Sequence, residues 1–168
     1  MEMPQSLQTI AEIAISFAGF TGLVTAFRRT SGPLTLIHKY RLRVLLALSF
    51  GAMFLSLSPE LLDGLQLPLS TLWRTAALVA ALYSFIFVWW WLAATRIMMQ
   101  SAPEIFHRYA LARMFVGHVA IFLLLAAVVA GSLAPYRPTV YLAALIWYLL
   151  HAAQQFSRML FVQPREEV

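Results

Sequence analysis

The sequence predicts an all-α protein: a polytopic membrane bundle of five transmembrane helices, with the N-terminus outside and the C-terminus inside. Composition is the first observation behind this prediction, since the 168 residues are 61% hydrophobic and only 11% charged. A soluble domain carries roughly 25% charged residues. The mean hydropathy of +0.77 points the same way. We therefore expect a lipid bilayer to be the main solvent of this chain.

The composition also narrows the classes of partner and site. Cysteine is absent, which excludes disulfides, thiolate metal sites and a cysteine nucleophile. The net charge of +5 is compatible with nucleic-acid binding, but no segment is left over for a soluble domain, so we expect no nucleic-acid partner and a basic surface that faces anionic lipid. No basic residue precedes the first apolar stretch, which argues against a cleavable signal peptide. Residues 1–168 are predicted to form a single integral membrane domain.

Five apolar stretches form the second observation. A bilayer crossing takes about 20 mostly apolar residues at about 1.5 Å each. Stretches that meet this requirement lie at about 7–27, 40–58, 74–96, 112–133 and 139–161.

The first two spans are joined by a loop that contains the turn signal Ser31-Gly32-Pro33. Thr35 is predicted to cap a helix that continues into the second span. Pro59 lacks a backbone N–H, so we expect that helix to end or kink there. The following residues, up to the third span, are predicted to be an interfacial loop with at most one short helical turn.

The third span ends in three consecutive tryptophans, residues 89–91, which suit an aromatic belt at the membrane boundary. Beyond it, Ser101 and Glu104 match a capping box, with Pro103 in the first turn. This pattern predicts one long helix over about 102–133.

The last two spans are separated by the short segment LAPYRPTV. Its two prolines, Pro135 and Pro138, predict a tight hairpin. Helices joined by so short a connection should be antiparallel neighbours.

The distribution of basic residues is the third observation and sets the orientation. Loops with an excess of lysine and arginine stay in the cytoplasm. With five spans, only Arg74 and Arg137 lie on the side of the N-terminus. The other ten lie on the opposite side: Arg28, Arg29, Lys39, Arg41, Arg43, Arg96, Arg108, Arg113, Arg158 and Arg165. This partition predicts that the N-terminus is outside and the C-terminus inside.

Glu12 is a carboxylate within the first apolar stretch. Spaced by three, four and three residues, one helix face holds Thr9, Glu12, Ser16 and Gly19. Small residues on an adjacent strip, Gly22 among them, allow another helix to approach closely. The opposite strip, which includes Ile10 and Phe17, suits lipid or large apolar neighbours. We expect the polar face to be buried among helices.

Three roles for Glu12 stay open. It is a neutral, hydrogen-bonded carboxyl that holds helices together, or a cation or proton ligand in a wet cavity, or a group that reaches water directly. Counted from Arg28, Glu12 lies about 24 Å along the helix, in the outer third of the bilayer core. Ser56 and Ser58 come out at a similar depth and are candidate partners of the carboxyl.

A second polar group is predicted near the cytoplasmic ends of spans four and five. It comprises His118 in the fourth span, and His151, Gln154 or Gln155, and Arg158 in the fifth. Two interpretations stay open. The side chains form a water-filled vestibule, or the residues of the fifth span simply lie where the helix leaves the bilayer core and enters the headgroups. Haem between His118 and His151 is considered, but two lone histidines that differ in depth by one or two turns are a weak signal. We expect no cofactor. We also expect no metal site, because the spans contain neither paired carboxylates nor a His-x-x-x-His pattern.

No catalytic motif occurs, so we do not expect an enzyme. The leading hypothesis is a small homo-oligomeric, cation- or proton-permeable channel-like protein of a bacterial-type inner membrane. Its polar pathway would comprise Glu12, Ser16, Ser56, His118, His151, Gln154 and Arg158. The alternative is a non-conducting scaffold or sensor that recruits a partner protein or anionic lipid through a basic collar: Arg28, Arg29, Lys39, Arg41, Arg43, Arg108 and Arg113.

Overall fold

Five long helices make up the bundle seen in the computed structural model, which describes residues 5–30, 33–101, 103 and 108–161, without the side chains of 28–30 and 108. No strand occurs among the described residues, so the all-α prediction is confirmed. The helices are α1 (Gln5–Thr30), α2 (Leu36–Asp63), α3 (Leu69–Ser101), α4 (Arg108–Ala130) and α5 (Arg137–Phe161).

Four of these helices are long and apolar enough to cross a membrane, namely α1, α2, α3 and α4. This supports an integral membrane protein. The fifth helix, α5, is not among these four, and its buried face carries polar and aromatic side chains: Tyr141, Tyr148, His151 and Gln155.

Helix α5 lies at the centre of the bundle and packs against each of the other four helices. Near its start, Tyr141 contacts Leu55, close to the end of α2. Near its end, the Arg158 carbonyl accepts a hydrogen bond from Arg41, close to the start of α2. The two helices are therefore antiparallel, and α5 runs along most of the length of α2.

Helix α2 begins where the sequence predicts, because the Thr35 hydroxyl accepts a hydrogen bond from the His38 N–H at 3.3 Å and caps the first turn. Of the two outcomes predicted at Pro59, an end or a kink, the end is wrong. The helix continues through Pro59 to Asp63, and residues 69–73, predicted as loop, are the first turn of α3.

The Leu55 carbonyl explains why α2 passes through Pro59. Pro59 has no N–H to donate to the carbonyl four residues before it. The Tyr141 hydroxyl donates to that carbonyl instead, at 2.6 Å, and the Ser58 hydroxyl also donates to it, at 2.8 Å. Neighbouring helices and hydroxyl side chains commonly supply such substitute donors inside membranes.

The turn between α4 and α5 confirms the predicted hairpin. Gly131, with φ +92°, follows the last residue of α4. Its N–H donates to Val128, and the Ser132 N–H donates to Ala127, which together form a Schellman motif. A 3-10 helix, Ala134–Tyr136, then leads directly into α5. Arg74 Nε donates to the Val129 carbonyl at 2.8 Å and so ties the start of α3 to the end of α4.

Other boundaries differ from the prediction. The third helix extends to Ser101, whose hydroxyl donates back to the Ile97 carbonyl. Glu104 of the predicted capping box lies outside the described residues. Of the three tryptophans in the predicted aromatic belt, Trp89 and Trp90 are exposed, whereas Trp91 is 2% exposed and belongs to the core. The belt itself stays a prediction.

Candidate functional site

The two histidines of α4 and α5 are in direct contact. The ring centroids of His118 and His151 lie 5.1 Å apart, with an angle of 74° between the ring planes. Both side chains are almost completely buried, at 0% and 1% exposure. The sequence predicts that they share a vestibule but differ in depth by one or two turns, whereas the structure places them edge to face.

Aromatic rings enclose this histidine pair. Phe87 stacks on His118 at 5.3 Å and contacts His151 edge-on at 6.2 Å. Trp91 contacts both histidines in the same two ways. Trp147 and Tyr148 of α5 also contact His118, at 5.8 and 6.2 Å between ring centroids. Aromatic side chains therefore pack against both histidines, and the water-filled vestibule around them stays a prediction.

Gly117 makes this close packing possible. A Cβ atom at this position would overlap the indole ring of Trp147. The absence of a side chain lets that indole lie against α4, from where its Nε1 donates to His118 Nδ1 at 3.1 Å. The same nitrogen lies 2.9 Å from the Met114 carbonyl, one turn earlier.

Each histidine has one ring nitrogen without a hydrogen-bond partner in the described part of the chain, His118 Nε2 and His151 Nδ1. His151 Nε2 lies 3.1 Å from the amide nitrogen of Gln155. The amide nitrogen can only donate, so His151 Nε2 accepts and the proton of the neutral ring is on Nδ1. A buried donor without an acceptor costs free energy, which makes the pair a place to look for a bound group.

The haem considered above does not fit this geometry. Two axial histidines lie on opposite faces of the macrocycle with iron between their nitrogens. Here the two rings touch edge to face at 5.1 Å, and Trp91 packs against both. A macrocycle would have to displace this packing.

A small polar cavity lies next to the histidine pair, at the end of the bundle where the exposed side chains of Lys39, Arg43, Arg96 and Arg113 lie. We call this the basic end. The cavity volume is about 20 Å³, enough for one water molecule. Its polar lining consists of Tyr40, Arg41, Trp91, Gln155 and Arg158.

Gln155 links this cavity to the histidines, because it both lines the cavity and contacts His151. The sequence left Gln154 and Gln155 as alternatives and favoured Gln154 for the polar pathway. The structure favours Gln155. Gln154 is only half-buried, and its Oε1 has no hydrogen-bond partner in the described residues.

Glu12 lies on the outer surface of the single chain. Its carboxylate accepts a hydrogen bond from Gln8 Nε2 at 3.2 Å, and the Ser16 hydroxyl donates to the Glu12 backbone carbonyl at 2.8 Å. We define the α1 polar face as the exposed residues Gln8, Thr9, Glu12, Ser16 and Gly19. These residues thus share one helix face, as predicted, but this face is exposed and not buried within the chain.

The packed side of α1 is the strip predicted to suit lipid or large apolar neighbours. Ile10 is 5% exposed, and Ala14 is fully buried. Phe17 contacts Phe156 of α5, with ring centroids 6.0 Å apart. Large apolar neighbours inside the chain, rather than lipid, therefore cover this strip.

The serines predicted near Glu12 bind elsewhere. Ser56 is buried, and its hydroxyl donates to the Met53 carbonyl at 2.8 Å. Ser58 contacts the Tyr141 hydroxyl at 2.8 Å. The structure therefore does not bring Glu12, Ser56 and the histidines together into one pathway inside a single chain.

The basic collar divides into surface and structural residues. Lys39, Arg43 and Arg113 are exposed, whereas Arg41 is buried and its Nη1 donates to the Arg158 carbonyl at 2.8 Å. Arg41 thus holds the end of α5 rather than facing a partner. The side chains of three further collar residues lie outside the described part: Arg28, Arg29 and Arg108.

Sequence reasoning missed the aromatic and hydroxyl side chains that build this region. Tyr40 and Thr95 share a buried hydrogen bond of 2.6 Å between α2 and α3. Tyr83 donates to the Ala47 carbonyl at 2.6 Å, over a Gly51 that leaves room for its ring. Glycines facing an aromatic residue of a neighbouring helix, as at Gly51 and Gly117, are the signal that could have located these contacts.

Comparison of the chain with family models, with curated proteins and with solved structures finds no match. The function must therefore be argued from the arrangement of these residues.

Proposed function

We propose that this chain is the protomer of a small homo-oligomeric membrane protein that conducts cations along the α1 polar face. One observation carries the proposal: this face, with the Glu12 carboxylate at its middle, points away from the core of its own chain. A carboxylate inside a membrane helix is costly when it faces lipid. A second copy of α1, or water between copies, would remove that cost.

The shape of α1 supports close approach of another helix. A Cβ atom built on Gly19 or Gly22 would meet nothing within 4 Å. The space beside the polar face is therefore open to a neighbour. Helices in membranes associate where small residues let their backbones approach and where polar side chains can pair.

The interior of a single chain is a poor route for a cation, which supports a path between chains. The histidine pair is enclosed by aromatic rings. The polar cavity beside it has room for about one water molecule. A cation would need a wider, continuous polar route, which the α1 faces of several copies could form, with a ring of Glu12 carboxylates favouring cations.

The topology that goes with this proposal has five spans, with the N-terminus outside and the C-terminus inside. Helix α5 counts as a span because it runs beside α2 from the contact of Tyr141 to that of Arg158. Its polar side chains His151 and Gln155 are buried against the other helices rather than facing lipid, so they are no obstacle to a span. The basic end then faces the cytoplasm, as the charge distribution predicts. We place the protein in a bacterial-type inner membrane.

The test is the selectivity of the purified protein in planar lipid bilayers under a KCl gradient. The wild type should conduct, with a reversal potential near that expected for potassium. Glu12→Gln should move the reversal potential toward zero, because the ring of negative charge is lost. Glu60→Gln removes an exposed carboxylate at the end of α2 and should leave the reversal potential unchanged.

Two results would contradict the proposal. One is the absence of conductance from folded protein whose oligomeric state in lipid has been verified. The other is equal selectivity in the wild type and Glu12→Gln.

The competing function is a non-conducting scaffold or sensor that binds a cytoplasmic protein or anionic lipid. The exposure of four basic side chains at one end of the bundle supports it: Lys39, Arg43, Arg96 and Arg113. In that case, replacing these residues with glutamine would abolish partner capture, while Glu12→Gln would have no effect on it. In a conducting protein, Glu12→Gln should change the reversal potential, whereas replacing the four basic residues should leave it unchanged.

A further inference from the structure

The polar cavity at the basic end lies where four helices meet. Its volume of about 20 Å³ has room for one particle of about the size of a water molecule. Helices α2, α3, α4 and α5 all contribute to its wall, through residues that include Tyr40, Arg41, Trp91, Ala110, Gln155 and Arg158. The charge of this lining determines which small particle fits best.

The lining of the cavity carries positive charge. The side chains of Arg41 and Arg158 both line it, and Arg113 lies close enough for its charge to act on Arg158. Among the described residues, no carboxylate lines the cavity. The nearest one along α2 is Glu60, nineteen residues from Arg41, which is about 28 Å along the helix. Like charges in a partly enclosed site repel each other more strongly than in water.

Arg158 is the residue of this lining that most needs an acceptor. Its side chain is half-buried, and its guanidinium forms no ion pair or hydrogen bond with the residues that the structure describes. A guanidinium carries five N–H donors and no acceptor. A partly buried cation without an acceptor costs free energy, and an anion in the cavity would remove that cost.

The neutral polar groups of the lining are also rich in donors. The Trp91 indole has a donor and no acceptor. Gln155 Nε2 carries two hydrogens, and His151 Nε2 accepts one of them at 3.1 Å. The Tyr40 hydroxyl can donate or accept. The wall therefore offers more donors than acceptors, which suits an anion better than a cation.

We infer that this cavity binds a small monovalent anion, with chloride as the ligand. A chloride ion is only slightly larger than a water molecule and accepts hydrogen bonds from several directions, so it fits a cavity of this volume lined by N–H and O–H donors. Sulfate, phosphate and lipid headgroups are too large to enter. The bound anion would reduce the repulsion between Arg158 and Arg113 and would hold α2, α4 and α5 together at the basic end.

The experiment is a titration of the purified protein with chloride in nanodiscs of zwitterionic lipid, followed by the line width of the chlorine-35 NMR signal. Chloride replaces gluconate, so the ionic strength stays constant. Bound chloride that exchanges with free chloride broadens the signal, and the amount bound to the wild type should saturate at one ion per chain. Bromide should displace the bound chloride, whereas sulfate at the same ionic strength should not.

Removing the charge of Arg158 should weaken chloride binding. Arg158→Gln should raise Kd at least tenfold, because the anion loses its charged donor. The matched control is Arg43→Gln, which removes an exposed arginine at the same end of the bundle and should change Kd less than twofold. This pair of variants separates binding in the cavity from a general attraction of chloride to a basic surface.

Filling the cavity provides a second, independent variant. Ala110→Leu adds bulk from α4 and leaves every donor of the lining in place, so it should abolish saturable binding. It keeps the inference testable if Arg158→Gln does not fold. Its control is Ala112→Leu, at an exposed position of the same helix, which should bind chloride like the wild type.

Three results would overturn the inference. The first is the absence of saturable chloride binding, as expected if a water molecule, or a carboxylate from outside the described part of the chain, occupies the cavity. The second is displacement of chloride by sulfate or phosphate as readily as by bromide, because the site would then admit an anion as large as a lipid headgroup. The third is an equal Kd in the wild type and a folded Ala110→Leu variant. Conductance plays no part in this readout, so the result is independent of the proposed function.

Discussion

Replacing Tyr141 with phenylalanine tests how α2 passes through Pro59. The ring and its contact with Trp73, at 5.8 Å, would remain. Only the hydroxyl that donates to the Leu55 carbonyl at 2.6 Å would be lost. Because Pro59 has no N–H, the donor that remains for that carbonyl among the described residues is the Ser58 hydroxyl, at 2.8 Å.

The expected cost follows from that remaining donor. A buried carbonyl without any partner costs about 1–3 kcal/mol, whereas hydrogen bonds between membrane helices contribute about 0.6 kcal/mol on average and at most about 1.7. Ser58 keeps the carbonyl partly satisfied, so Tyr141→Phe should destabilise by about 1 kcal/mol. The double variant with Ser58→Ala should lose about 2–3 kcal/mol, more than the sum of the single effects.

Pro59→Ala provides the decisive comparison. Alanine supplies the missing backbone N–H to Leu55, so Tyr141→Phe should cost about half as much in this background. The free energy of unfolding can be measured by reversible denaturation in mixed micelles, followed by circular dichroism. Tyr136→Phe, at an exposed tyrosine in the hairpin, should change the free energy by less than about 0.5 kcal/mol. An equal effect of Tyr141→Phe with proline and with alanine at position 59 would refute the reasoning.

Three further predictions use the same denaturation assay. Gly117→Ala should destabilise the protein by about 1–3 kcal/mol, because its Cβ would overlap the Trp147 ring. The control Gly64→Ala, where the closest atom is the Leu61 carbonyl at 3.4 Å, should be tolerated. A tolerated Gly117→Ala would show that α4 and α5 can separate at no cost. Arg41→Met should destabilise the protein by about 1.5–3 kcal/mol, because the Arg158 carbonyl loses a charged donor. The control is Arg43→Met, at an exposed arginine two residues away. Similar losses of stability in both variants would contradict a structural role for Arg41. Thr95→Val should cost about 1 kcal/mol by leaving the Tyr40 hydroxyl without its 2.6 Å partner; a loss below about 0.3 kcal/mol would mean that this contact contributes little.

The elements of this fold that follow from local sequence were predictable. The Thr35 cap and the Pro135–Pro138 hairpin depend on residues close together in the chain. Passage of α2 through Pro59 was not predictable, because the compensating donor, Tyr141, is 86 residues away from Leu55. A proline rule applied to the local sequence cannot include such a donor.

The candidate site was predicted in part for a similar reason. Helical spacing identifies which residues share a face, and Glu12 and Ser16 do so as expected. It does not decide whether that face or the opposite one, with Ile10 and Phe17, packs inside the chain. Depth estimates counted from loops also carry errors of a turn, which is why His118 and His151 were placed near each other but not in contact.

The central claim is that the α1 polar face meets another copy of the chain. Because the protein contains no cysteine, a single Ser16→Cys substitution in native membranes tests it without further changes. A disulfide requires the two Cα atoms to lie within about 7 Å. The control is Leu82→Cys, at an exposed position of α3 and at a similar distance from the basic end. The account predicts a disulfide-linked dimer for Ser16→Cys and none for Leu82→Cys. Absence of the Ser16→Cys dimer, or equal cross-linking at both positions, would contradict it.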